Sequence, residues 1–153
     1  MISSFFIAAC GNSKNLKADT ENERASDAPK DSDKSSNVII DKIGVYYFHG
    51  THRCATCKGI QKNIEDVIEQ NFMKESFDGS LDFKSLNMDL KENKHYVKEF
   101  NLSFGSMVVA SLSNGKIIRW KNCSKVWELN QSPEKLKEYV KTEITNVLKN
   151  IGQ

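Results

Sequence analysis

No run of apolar residues in this chain approaches the ~20 that a membrane-spanning helix needs, so a helical span is excluded. Glycine-rich phosphate loops are missing as well. Neither G-x-G-x-x-G nor G-x-x-x-x-G-K-[ST] occurs, which removes the usual signatures of dinucleotide and nucleoside triphosphate binding. Charge of one sign is not in excess: 22 basic and 20 acidic residues leave a formal net charge of +2, which argues against a nucleic-acid partner. No internal repeat is visible. Cysteine is scarce, with four in 153 residues, yet the positions Cys10, Cys54, Cys57 and Cys123 are the most informative feature of the chain.

The composition divides the chain into three parts. Residues 1–10 are apolar or small and end in Ile7-Ala8-Ala9-Cys10. This segment resembles the lipobox of bacterial lipoproteins, in which small residues admit a signal peptidase and the cysteine thiol carries a diacylglycerol. No Lys or Arg precedes it and it is shorter than a usual signal core, so the expectation is a truncated signal whose true start lies upstream of Met1. Residues 11–37 carry five basic and six acidic residues and only one large apolar side chain, Leu16. Such a segment cannot bury enough surface to offset the entropy of ordering, and a disordered tether is expected. Residues 38–153 hold the apolar patterning of one domain, with 17 basic against 14 acidic residues, a net of +3.

Within that domain the pattern alternates between strand and helix. Val38-Ile39-Ile40 and Ile43–Phe48 are β-branched or aromatic runs and predict strand. Cys57, Ile60, Ile64, Val67, Ile68 and Phe72 recur at three- and four-residue spacing, which predicts a helix from about Cys54 to Phe72. Leu81, Phe83, Leu86 and Met88 predict a strand ending at Asp89, and residues 93–100 a short helix. Strands over 107–112 and 116–121 flank Asn114-Gly115, the step a tight hairpin prefers. Ser132-Pro133-Glu134 marks a helix start with Ser as cap, and Leu136, Val140, Ile144, Val147 and Ile151 form its apolar stripe. The order β-α-β-α-β-β-α implies a parallel pair and an antiparallel hairpin, hence a mixed sheet in an α/β domain.

Cys54-Ala55-Thr56-Cys57 is a C-x-x-C that follows an apolar strand and opens an amphipathic helix, a context that reads as thioredoxin-like. Unpaired N–H groups and the positive end of the helix dipole favour a thiolate there. Cys54, at the tip, is assigned as the attacking nucleophile, and Cys57, one turn in, as the resolving thiol. Arg53, His52, His49 and Lys58 are expected to add positive potential and draw the Cys54 thiol below the ~8.5 of a free cysteine. Cys123 reads as a packed free cysteine, Trp120 and Trp127 as core or edge residues, Asp89 as a turn or cap residue, and His95 as exposed.

The domain thus looks like a thioredoxin-fold protein, and Tyr46-Tyr47-Phe48-His49-Gly50-Thr51-His52-Arg53-Cys54-Ala55-Thr56-Cys57 is similar to the motif of the ArsF-type thioredoxin-like proteins. These are small bacterial proteins labelled as a subunit of a nitrophenyl-compound nitroreductase. The resemblance implies a thioredoxin-like fold, a mixed central sheet flanked by helices, and a dithiol role. No flavin or nicotinamide site is recognisable, so no nitroreductase activity is assigned to the chain itself. The resemblance also locates a cis-proline-equivalent loop at Ser106 or Met107. With no proline there, a cis bond costs about 2.5–4 kcal/mol and a trans bond is expected. Tyr47 or Phe48 stands in the region where thioredoxins keep a buried carboxylate.

The leading expectation is a thiol–disulfide oxidoreductase without cofactor. It would be exported and lipid-anchored at Cys10, facing the periplasm or exterior, and act on a disulfide-bearing protein or a small thiol. Membrane contact would be only through the lipid. The alternative is a metal-binding or redox-sensing module in which His49, His52, Cys54 and Cys57, gathered within nine residues, hold a zinc or copper ion. A third reading is an accessory subunit that docks a reductase partner protein.

Overall fold

The computed structural model describes residues 38–151. The lipobox-like segment with Cys10 and the expected tether lie outside the described residues. Four strands, β1 (Lys42–His49), β2 (Leu81–Asn87), β3 (Met107–Ser113) and β4 (Lys116–Cys123), form one sheet in the order β2-β1-β3-β4. β1 pairs parallel with β2 and antiparallel with β3, and β3 pairs antiparallel with β4. The helices are α1 (Ala55–Asn71), α2 (Met73–Asp78), α3 (Lys94–Glu99) and α4 (Pro133–Leu148). The domain has the expected α/β, thioredoxin-like architecture of a mixed sheet flanked by helices.

Each face of the sheet has its own core, as the two-residue period of strands requires. Ile43, Val45 and Tyr47 of β1 and Met107 and Val109 of β3 pack with Ile60, Ile64, Val67 and Ile68 of α1 and Leu136, Val140 and Ile144 of α4. Tyr46 and Phe48 of β1 and Val108, Ala110 and Leu112 of β3 face the other way, onto Tyr96, Val97 and Phe100. There the rings of Phe48 and Tyr96 lie 5.5 Å apart, and Trp120 meets Phe100 edge-on at 5.4 Å. Because β1 is an inner strand covered on both sides, every residue from Ile43 to Phe48 is buried. Asp66 pairs across to Lys137 of α4 and, within α1, with Lys62, each at 3.0 Å.

Several element boundaries differ from the pattern in the sequence. Val38-Ile39-Ile40 is not strand. The ladder starts at Lys42 because β3 turns at Asn114, whose N–H donates to the Asp41 carboxylate at 2.6 Å, leaving no partner strand beyond. Ile40 is still buried, whereas Val38 and Ile39 are exposed. The long helix ends at Asn71, and a further turn and a half, α2, follows the non-helical Phe72 and closes at Gly79 with φ of 81°. β2 stops at Asn87 rather than Asp89, and the short helix is split into a 3-10 turn (Lys91–Asn93) and α3. β4 runs on to Cys123, so this cysteine closes the strand instead of following it. Ser132 stands at the cap position of α4, but its hydroxyl makes no capping bond; its carbonyl accepts from Leu136 N–H at 2.9 Å. Ile151 lies past the end of α4.

Candidate functional site

The site forms where β1 ends and α1 begins. Cys54 is the N-cap of α1, with extended backbone (φ −78°, ψ 169°), and its sulfur accepts the Cys57 N–H at 3.4 Å. A cap position turns a side chain towards the first-turn amides, which have no helical partner. The thiol of Cys54 is exposed and held below its ordinary value, first by the Cys57 amide, against a smaller opposing effect of desolvation, then by the amide and hydroxyl of Thr56. Cys57, one turn along, is buried against the core. Both are free thiols.

Tyr47, fully buried, reaches under this turn from the sheet. Its hydroxyl lies 3.0 Å from the Cys57 carbonyl oxygen and 3.3 Å from the Cys57 sulfur. Of the two residues the sequence left open for this region, Tyr47 faces the dithiol and Phe48 faces the opposite core. Burial pushes the Tyr47 hydroxyl well up, with the hydrogen bond to Cys57 adding to it and the Arg53 charge opposing.

The basic residues near the motif are not gathered on the Cys54 sulfur. Arg53 Nη2 donates to Gln61 Oε1 at 2.6 Å, and the guanidinium carbon sits 5.9 Å from the centre of the Tyr47 ring. His49 Nδ1 is 2.9 Å from the Gly50 carbonyl oxygen. His52 is exposed in the bend before the helix, where its charge bears on Asp89, and Lys58 is exposed on α1. Among the described residues no three His, Cys, Asp or Glu side chains are placed to share an ion, because His49 turns to its neighbour's carbonyl and His52 outward. Asp89 is a turn residue, accepting the Thr51 N–H at 2.7 Å.

The loop ahead of β3, expected to stand opposite the dithiol, is tied to the end of β1. Ser106 and Phe48 exchange backbone bonds, Ser106 N–H to Phe48 O at 3.0 Å and Phe48 N–H to Ser106 O at 2.8 Å. The Ser106 hydroxyl donates to Asn122 Oδ1 at 2.6 Å, and Met107 opens β3, fully buried. No cis peptide bond occurs among the described residues, in line with the absent proline. Trp127 Nε1–H donates to the Gly105 carbonyl, which pins the loop from the far side.

Cys123 is a different kind of cysteine. It is fully buried, and burial, then the Glu143 charge, pushes its thiol up to about 11. Lys121 Nζ pairs with Glu143 at 2.7 Å beside it. A thiol so placed has almost no thiolate at neutral pH, in line with a packing role.

Sequence reading missed that Thr56 helps to lower the Cys54 thiol, although a hydroxyl two residues into a C-x-x-C is the available signal. It also left undecided that a phenol, rather than an apolar ring, underlies the dithiol.

No family model matches the sequence, and no curated protein matches it. Similar solved structures include the thioredoxin of Fasciola hepatica, 16% identical, with a TM-score of 0.42 over 70% of this chain and 82% of that one. The thioredoxin of Trypanosoma brucei brucei is 16% identical, with a TM-score of 0.40 over 71% of this chain and 80% of that one. Mitochondrial thioredoxin 3 of Saccharomyces cerevisiae is 17% identical, with a TM-score of 0.39 over 67% and 79%. None of these adds to what the geometry around Cys54 and Cys57 itself supports.

Proposed function

We propose that the domain is a thiol–disulfide oxidoreductase. The observation that carries this reading is the asymmetry of one helical turn: Cys54 is exposed, with its thiol lowered by helix amides, and Cys57 is buried beneath it. An accessible sulfur rich in thiolate is the nucleophile of disulfide exchange. The Cys54 thiolate attacks a substrate disulfide, one substrate sulfur leaves and takes up a proton, and a Cys54–substrate disulfide forms. Cys57 then attacks Cys54, closing the Cys54–Cys57 disulfide and releasing the second substrate thiol. The protein loses two electrons and the substrate gains two. The reverse sequence oxidises a substrate dithiol.

The substrate is a disulfide-bearing protein or a small thiol compound, and no cofactor takes part. Likeness of residues 46–57 to the ArsF-type motif supports the dithiol role. The same proposal takes Cys10 as a lipid-attachment site and residues 11–37 as a tether, holding the domain at the cell envelope. The catalytic part is tested by insulin disulfide reduction with dithiothreitol as the reductant. Wild type accelerates the reaction and Cys54→Ser does not; equal rates for the two sink the proposal.

A further inference from the structure

Among the described residues no buried carboxylate lies beneath the dithiol; the polar group that touches the resolving sulfur is the phenol of Tyr47. We infer that Tyr47 is a catalytic hydrogen-bond donor to Cys57, stabilising the negative charge that develops on this sulfur when it gives up its proton to attack the mixed disulfide. This rests on the exchange reaction proposed above and assigns a residue to its second half.

The geometry carries the assignment. Tyr47 has one O–H proton and two acceptors within reach, the Cys57 carbonyl at 3.0 Å and the Cys57 sulfur at 3.3 Å. It cannot serve both at full strength. While Cys57 is a neutral thiol, a weak acceptor, the carbonyl holds the proton. Once the sulfur is charged, a charge-assisted bond to it is the stronger of the two. The carbonyl is not orphaned by the change, because inside α1 it keeps the amide of the following turn. The bond to sulfur is therefore stronger in the charged, attacking form than in the resting thiol, and only such differential stabilisation speeds a step. The site is preorganised for it: the ring is fully buried between β1 and α1, so little rearrangement is needed.

A role as base is excluded by the same burial, which keeps the hydroxyl protonated throughout the working range. The groups that bear on Tyr47 most are Cys57, Arg53 and Cys54. The Arg53 cation, 5.9 Å from the ring centre, draws electron density from the phenol and makes its O–H a better donor.

In the resolving step Cys57 gives its proton to solvent and attacks the Cys54 sulfur. The Cys54–Cys57 bond forms, the Cys54–substrate bond breaks, and the departing substrate sulfur takes the electron pair and a proton from solvent. Proton uptake and release cancel.

Reduced protein in a Cys10→Ser background, mixed with an equal amount of dithiobis(nitrobenzoate), separates the two halves. The first thionitrobenzoate released reports attack by Cys54, and the second reports resolution by Cys57. Tyr47→Phe is expected to slow the second phase about tenfold and leave the first within about twofold. An unchanged second phase, or equal slowing of both, overturns the inference. A wild-type protein that gives no second phase refutes the exchange reaction itself, and Tyr47 with it. Should Tyr47→Phe not fold, difluorotyrosine placed at position 47 provides a stronger donor of nearly the same shape. It must quicken the second phase, and a rate equal to or below wild type overturns the inference.

Discussion

At the scale of single residues, the lowered value of the Cys54 thiol comes from short-range donors and not from a surrounding field of cations. The amides of Cys57 and Thr56 and the Thr56 hydroxyl favour the thiolate, while Arg53 is committed to Gln61 and the Tyr47 ring. A lowered thiol value means more thiolate at any given pH, so alkylation by iodoacetamide reaches its plateau at lower pH than for free cysteine. Thr56→Ala removes one of these donors. Its alkylation midpoint is expected to move up towards the ordinary cysteine value, with slower labelling at neutral pH; a midpoint unchanged from wild type refutes a role for the hydroxyl. Arg53→Ala makes a useful companion measurement, since the geometry places its effect on Tyr47 and not on Cys54.

At the scale of elements, the site depends on how closely two pieces of chain approach. The loop ahead of β3 lies against the end of β1, and a Cβ on Gly105 would come within 2.7 Å of the Phe48 carbonyl oxygen and 3.4 Å of the His49 Cα. Both obstacles are backbone, so the loop itself has to move. That would pull apart the paired bonds of Ser106 and Phe48 and the Trp127 bond to Gly105. Gly105→Ala should cost about 1–3 kcal/mol, the usual penalty for forcing volume into a packed site. Urea unfolding reads this as a lower midpoint at unchanged slope, and a midpoint equal to wild type removes the close-approach explanation. The strand–helix junction is less sensitive: between His49 and Ala55 the chain is held by Asp89 to the Thr51 amide and by Asn87 to the Thr51 hydroxyl.

At the scale of the molecule, no helix among the described residues is long and apolar enough to cross a membrane. Under the envelope proposal all membrane attachment falls to Cys10. A diacylglycerol supplies two buried chains, which is what stable anchoring takes; a single chain binds only marginally. In a bacterial host that exports and lipidates lipobox proteins, the protein is expected to incorporate labelled palmitate and sediment with membranes. Cys10→Ser should lose both while keeping its disulfide-reducing rate in solution, because the dithiol lies more than forty residues further along. Membrane sedimentation that survives the substitution refutes the lipid anchor.

What the sequence by itself determined is local. The three- and four-residue spacing from Cys57 to Phe72 specified α1, Asn114-Gly115 specified the β3–β4 turn, and the apolar run before Cys54-Ala55-Thr56-Cys57 placed the dithiol at a helix start. Each follows from neighbours in the chain, through helix period, turn conformation and unpaired first-turn amides. Only the tertiary structure decided which face of β1 meets α1. With Ile43 to Phe48 buried throughout, alternation carries no sign of which side the helix covers, so Tyr47 and Phe48 were equivalent until the helix packed. The dispersal of His49, His52 and Arg53 likewise depends on partners such as the Gln61 side chain, one helix turn beyond Cys57. Short spacing along a chain does not fix side-chain direction in a loop, and direction is what sets a phenol beneath two sulfurs while turning the neighbouring imidazoles elsewhere.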